Sequence, residues 1–205
     1  MNATADTVDY VHMARALQLA RQGLYSTRPN PRVGCVIVQN GVIVGEGFHA
    51  RAGGPHAEVD ALRAVGPAAA GATVYVNLEP CNHSGRTPPC TDALIAAKVA
   101  RVVYAVPDPH ATARGGAARL TAAGVVVQAG PLAVAARALN RGFFMRHEQG
   151  RPWLTLKMGM SLDGKVALAD GQSQWITSVE SRMPRSFKSW INAAEGWSAR
   201  RHILV

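Results

Sequence analysis

At 205 residues with 48% hydrophobic content, the chain has room for one large domain, or for a domain of about 150 residues and a fragment, and it holds no long low-complexity run that argues for disorder. No run of about 18 apolar residues and no basic start followed by an apolar stretch occurs, so the sequence predicts neither a membrane-spanning helix nor a secretion leader, and a cytoplasmic setting is the default. The formal charge is +9, and beyond residue 181 Arg182, Arg185, Lys188, Arg200 and Arg201 face only Glu195, so the +5 left to the rest of the chain suits a phosphorylated small molecule without requiring nucleic acid.

In chain order, Asp6-Thr7 can cap a helix whose Val11, Ala14, Leu17 and Ala20 recur at helical spacing, ending near Gly23. Two prolines in Thr27-Arg28-Pro29-Asn30-Pro31 remove donors and bias the residues before them to extended geometry, so the helix cannot continue. Residues 33–38 read as a buried strand in which Cys35 is a small apolar core residue. Asn40-Gly41 is the favoured pair for a tight hairpin turn, with 42–48 as the returning strand. A loop holding His49 and Gly53-Gly54 leads to a helix over 56–65. There follow a strand over 72–78, a polar loop, a short helix over 91–99 and a buried strand over 101–106. A helix over 117–123, a strand over 125–127 and a helix from 132 to about 146 complete the pattern. Strand and helix alternate after an opening hairpin, which predicts a three-layer αβα fold with a mixed central sheet. Sites in such sheets gather beyond the carboxyl ends of strands.

Two segments placed there carry chemistry. Gly53-Gly54-Pro55-His56-Ala57-Glu58 is answered by Leu78-Glu79-Pro80-Cys81 and Pro88-Pro89-Cys90. One imidazole and two thiolates suit a metal of borderline softness, and three protein ligands leave zinc a fourth position for water. One zinc ion per chain is therefore expected at His56, Cys81 and Cys90. Glu58, two residues beyond His56 at a helix start, reaches that water without occupying the metal. A carboxylate there suits taking the water proton and handing it to a ring nitrogen and to departing ammonia. His56 alone also reads as a hydrogen-bonded helix-start histidine. The cysteines alone read as half of a structural zinc site, which would need two more ligands, and the sequence offers no second cysteine pair. Histidine-x-glutamate followed by proline and two cysteines is the zinc-deaminase signature, with two residues between the cysteines; here eight separate them.

That insertion carries a resemblance. Thr27-x-Pro29-Asn30-Pro31-x-Val33-Gly34, His56-Ala57-Glu58-Val59 and Leu78-Glu79-Pro80-Cys81-x-His83-x-Gly85-Arg86-Thr87-Pro88-Pro89-Cys90 resemble the pyrimidine deaminase half of the bifunctional riboflavin-biosynthesis deaminase-reductase, over residues 8 to about 180. The resemblance implies a cytidine deaminase-like fold. It also implies hydrolytic deamination of 2,5-diamino-6-ribosylamino-4(3H)-pyrimidinone 5′-phosphate to the 5-amino-6-ribosylaminouracil 5′-phosphate. By the same resemblance His56, Cys81 and Cys90 bind zinc, Glu58 shuttles protons, and Asn30, His49, His83, Arg86 and Asp108 match substrate-contacting positions. The chemistry agrees: Asn30 both donates and accepts, and Arg86 can clamp a phosphate bidentately. One departure follows Asp108-Pro109, where His110 stands in place of the family's asparagine and its lysine is absent unless Arg114 substitutes for it. His110 is kept as a substrate-binding candidate.

Residues 1–150 are thus expected to form the deaminase domain and 151–205 a remnant of the reductase domain. Residues 152–165 and Ser173-x-Trp175-Ile176-Thr177-Ser178 resemble the opening of that second domain, where the equivalents of Met160 and Trp175 lie at the NADPH site and that of Ser173 contacts substrate. Some two hundred further residues complete it in relatives, so the NADPH site is expected to be incomplete and no reductase activity is expected. The partner expected is a phosphorylated pyrimidine, with no nucleic acid and no membrane; a homo-oligomer is left open. Two alternatives stand beside this reading: a weakened homologue acting as a binding or assembly subunit, motivated by His110, and an RNA deaminase, suggested by charge and opposed by the cysteine spacing.

Overall fold

The computed structural model describes residues 3–85, 87–155 and 159–172. The chain divides into two units, Met1–Trp153 and Leu154–Val205. The first is built from α1 (Ala3–Arg21), β1 (Gly34–Gln39), β2 (Val42–Phe48), α2 (Ala57–Val65), β3 (Thr73–Val76), α3 (Cys90–Ala96) and β4 (Arg101–Tyr104). It continues through α4 (Gly116–Ala122), β5 (Val126–Ala129), α5 (Ala133–Leu139) and α6 (Arg141–Gln149).

Asn40 and Gly41 both adopt positive φ, 53° and 79°, the backbone of the hairpin turn their pairing predicts, and fold β2 back on β1. The five strands run β2-β1-β3-β4-β5. β1 is antiparallel to β2 and β3, while β3, β4 and β5 are parallel, so the sheet is mixed as expected. Strand alternation sorts the core into two layers. Cys35, Ile37, Val74, Val76 and Val102 face Ala57 and Ala61 of α2, Leu94 of α3 and Leu120 of α4. Val36, Val38, Tyr75 and Val103 face Met13, Ala16 and Leu17 of α1, Ala136 of α5 and Phe144 of α6. Cys35 is wholly buried among apolar neighbours, the inert role read from the sequence. The α1 layer presses so closely on the sheet that a Cβ on Gly34 would lie 2.1 Å from the Ala16 carbonyl oxygen.

Three expectations need correction. α1 begins at Ala3, so Asp6 and Thr7 lie inside it and do not cap it. Its buried face is Met13, Ala16, Leu17, Leu19 and Ala20, which keeps Leu17 and Ala20 of the expected stripe, while Val11 is 57% exposed and falls outside it. The helix expected over 132–146 is two helices broken at Asn140, whose φ and ψ are −113° and 25°. Asn140 is buried because its amide clamps a distant backbone: Arg32 N–H donates to Oδ1 at 2.8 Å, and Nδ2 donates to the Arg32 carbonyl at 2.9 Å. Asn77, also buried, donates to that carbonyl at 3.0 Å and accepts from the Gly34 N–H at 2.8 Å. Together they fix the Pro29-Asn30-Pro31 segment at the end of the sheet.

In the second unit, the described residues include a turn in which Lys165 N–H donates to Ser161 Oγ at 3.0 Å, and Met160 is exposed. Ser173 and Trp175 lie outside the described residues. Among the described residues, no helix is long and apolar enough to cross a membrane.

Candidate active site

β3 and β4 end on the same side, and the connections leaving them, with those entering β1 and α2, enclose a cavity of about 440 Å³. His56 occupies the position before α2 with extended backbone, φ −76° and ψ 161°, and Glu58 sits in that helix's first turn. Cys90 opens α3 behind Pro89, which cannot donate and so marks the start. Cys81 lies in the loop after β3. Gly116 at the head of α4 closes over that loop so tightly that a Cβ there would lie 1.8 Å from the Pro80 carbonyl oxygen.

The metal-ligating atoms of His56, Cys81 and Cys90 lie within 4.8 Å of one another. Nδ1 of His56 is 3.1 Å from Cys90 Sγ and 3.5 Å from Cys81 Sγ. Tetrahedral zinc, with bonds of about 2.0 Å to nitrogen and 2.3 Å to sulfur, puts such pairs about 3.5 Å apart, so this donor set fits the ion in spacing and in chemistry. Hydrogen bonds from the Cys90 thiol, from His56 and from the Cys90 N–H favour the thiolate of Cys81 and hold it well below the usual thiol range. The Cys90 N–H lies 3.3 Å from that sulfur. On the far side of the imidazole, Nε2 faces Thr87 Oγ1 at 3.5 Å, a contact that orients a ligand ring. The sequence reading quoted Thr87 only as part of a motif.

Glu58 is 3% exposed. Burial, and then the negative charge of Cys81, push its carboxyl up to about 7, while His56 pulls the other way. A cation at the three ligands would lower it again. Asp108, also buried, is pushed up to about 6 by the same desolvation, and its Oδ1 accepts the His110 N–H at 2.8 Å. Glu79 stands in contrast: its two oxygens accept the N–H groups of Asp108 and Ala117 at 3.0 and 2.9 Å, tying the loop after β4 and the head of α4 to the site.

Asn30, His49, His83, Asp108 and His110 all line the cavity beside His56, Glu58 and Cys81. His49 is fixed by two contacts: Nδ1–H donates to the Pro55 carbonyl at 2.8 Å, leaving Nε2 to accept from Asn30 Nδ2 at 3.0 Å. Burial lowers its pKa and keeps this neutral tautomer. The Asn30 amide is thereby oriented with its oxygen uncommitted to His49. Nδ1 of His83 is buried without a hydrogen-bond partner among the described residues. Arg86 and Trp175 lie outside the described residues, and Met160 belongs to the second unit. The cavity also takes Phe143, Arg146 and His147 from α6, none of which the sequence reading singled out. A helix drawn without its break at Asn140 gave no signal that they return to the site.

The family model of the cytidine and deoxycytidylate deaminase zinc-binding region matches residues 6–106, and that of the RibD C-terminal domain matches residues 152–201. The riboflavin biosynthesis protein RibD of Escherichia coli is 58% identical over 175 residues, 85% of this chain and 48% of that protein. The RibD of Synechocystis is 50% identical over the same shares, 85% and 48%. Among solved structures, Acinetobacter baumannii RibD (form 1) aligns with a TM-score of 0.83 and 49% identity, covering 90% of this chain and 51% of that one. The Thermotoga maritima diaminohydroxyphosphoribosylaminopyrimidine deaminase and 5-amino-6-(5-phosphoribosylamino)uracil reductase aligns with a TM-score of 0.80 and 39% identity, over 85% and 51%. The chain spans about half the length of the curated relatives it matches.

Proposed function

Because the chain carries the deaminase domain of the RibD family in a cytidine deaminase-like fold, we propose that it hydrolytically deaminates 2,5-diamino-6-ribosylamino-4(3H)-pyrimidinone 5′-phosphate in riboflavin biosynthesis. The observation that carries the reading is the buried carboxylate of Glu58 set beside a His-Cys-Cys donor cluster at the wall of a substrate-sized cavity. His56, Cys81 and Cys90 would hold zinc, which when bound would supply a polarised water at neutral pH.

Glu58 would take the first proton of the attacking water and deliver it to the ring nitrogen as oxygen adds to the ring carbon bearing the amino group. It would then take the remaining proton of the new hydroxyl and deliver it to the departing amine. The carbon–nitrogen bond breaks, ammonia leaves and a ring carbonyl remains, with no oxidant or reductant consumed. Asn30, held by His49, offers its oxygen to a ring N–H or amino group. The unpartnered His83 Nδ1 and the Asp108 carboxyl, both at the cavity, are further contacts for the polar ring. Arg86 is assigned to the 5′-phosphate on its place in the loop between the cysteines.

Ammonia release from the diaminopyrimidine phosphate tests the reading, with Glu58→Gln as control. Zinc-dependent release that Glu58→Gln abolishes supports it. A zinc-loaded chain that releases none, yet binds the compound, would instead favour the binding-subunit reading that His110 motivated.

A further inference from the structure

The break at Asn140 turns α6 back toward the cavity. Phe143, Arg146 and His147 stand at spacings of three and four, share a helix face, and line the wall. This wall comes from the α1 layer, whereas His56 and Cys90 come from the heads of α2 and α3 in the other layer. Along it the rings follow one another: Phe143 and His147 have centroids 4.6 Å apart, His147 and His110 4.5 Å, and His110 and His83 6.1 Å.

The charge on this wall has no counter-ion among the described residues. Arg146 makes no side-chain hydrogen bond or ion pair among the described residues. The neighbouring acid, Glu148, is taken by Arg137 at 2.5 Å. Glu79 is committed to two backbone N–H groups, and Asp108 accepts the His110 N–H. Arg146 is exposed at the open side of the cavity, and a guanidinium there without an anion among the described residues, next to imidazoles, has the donor chemistry of a phosphate monoester site.

We propose that α6 supplies the phosphate subsite of this cavity, with Arg146 as the principal cation and His147 a second donor held in place by Phe143 and His110. The inference rests on the phosphorylated-substrate reading above and deepens it, since the break at Asn140 becomes the device that delivers phosphate recognition from the layer opposite the metal ligands.

The test compares Arg146→Ala and Arg146→Lys with the wild-type, zinc-loaded chain, using the phosphorylated substrate and its dephosphorylated ribosyl counterpart. Losing a charge-assisted contact should lower the preference for the phosphorylated compound, read as the ratio of the two KM values, by about 10-fold to 100-fold in Arg146→Ala. Lys, which keeps the charge without the fork, should restore part of it, and His147→Ala should lower it less. An unchanged preference in Arg146→Ala would overturn the proposal, as would equal KM increases for both compounds. In parallel, ribose 5-phosphate and ribose are titrated by calorimetry into the same proteins, which needs no turnover. Phosphate-selective binding weakened in Arg146→Ala supports the subsite even if no ammonia is ever released. Its absence in the wild type, or its persistence in the variant, sinks the subsite and leaves the deaminase reading standing.

Discussion

Carboxylates shielded from water occur at both ends of β3 and β4, partly at one and almost wholly at the other, in two different electrostatic settings. At the amino ends, Asp9 of α1 receives Nη1 and Nη2 of Arg101 at 2.9 and 2.6 Å and the Tyr75 hydroxyl at 2.8 Å. Burial alone would raise its pKa, but Arg101 and Tyr75 outweigh burial and hold Asp9 below the ordinary range. At the carboxyl ends, Glu58 and Asp108 are left without an arginine or lysine partner among the described residues, and burial pushes them up to about 7 and about 6. A paired carboxylate stays ionised and ties elements together. An unpaired one raises the cost of its own charge, a state that proton transfer uses and stability does not.

The sharpest way to break this contrast is to neutralise each carboxylate in turn. Glu58→Gln should cut ammonia release by about 10²-fold to 10⁴-fold, the range of a lost general acid–base. Zinc content, measured by elemental analysis, should stay at that of the wild type, and the melting temperature should not fall, because no ion pair is lost. Loss of the metal together with activity would make Glu58 part of the ligand set and would undo the assignment.

Asn140 shows what the sequence could and could not reveal. The β1–β2 hairpin was legible from Asn40-Gly41, and α2 with its His56 and Glu58 from apolar spacing and the preceding Gly-Pro; both signals are local. The metal cluster was legible because few residue types can ligate zinc. The break at Asn140 was not, since it depends on an amide meeting the backbone of Arg32, 108 positions earlier. For the same reason the α6 wall, with Arg146 and His147, stayed hidden, as did the pairing of His56 with Thr87. Asn140→Ala should leave the buried Arg32 N–H unpaired, while its carbonyl keeps Asn77, and should cost about 1.5–3 kcal/mol in urea unfolding. KM should rise with it as α6 loses its anchor. A variant with wild-type stability would mean that the helix break is set by α5 and α6 themselves.

Asp9→Asn probes the paired end. It keeps size and one donor–acceptor set but removes the charge facing Arg101, so a loss of about 1–3 kcal/mol is expected with turnover nearly intact. The pH dependence has a defined sign. The folded-state pKa of Asp9 lies below its ordinary 3.8, so its stabilising effect is present above that value and is lost as pH falls through the lower folded value. The stability gap between wild type and Asp9→Asn should therefore be constant above about pH 5 and close in the acid limb below 3.8. A gap that widens on acidification would show that Asp9 is not held ionised by Arg101.

The smallest effect is expected where the same charge pair is moved to the surface. Arg15 of α1 grips Glu46 of the edge strand β2 through Nε and Nη2 at 2.7 and 2.8 Å, a fork as good as that on Asp9. Its side chains, however, are 43% and 30% exposed, against 26% and 14% for Arg101 and Asp9. Water and salt screen the outer pair, so Glu46→Gln should cost at most about 1 kcal/mol, and less as ionic strength rises. The two forks match, while the inner pair is more buried and Asp9 also accepts the Tyr75 hydroxyl, so the difference between the two losses measures what burial and that hydroxyl add to a carboxylate–guanidinium pair in this fold. Equal losses for Glu46→Gln and Asp9→Asn would mean that geometry decides, and the unpaired state of Glu58 could then no longer be ascribed to its burial.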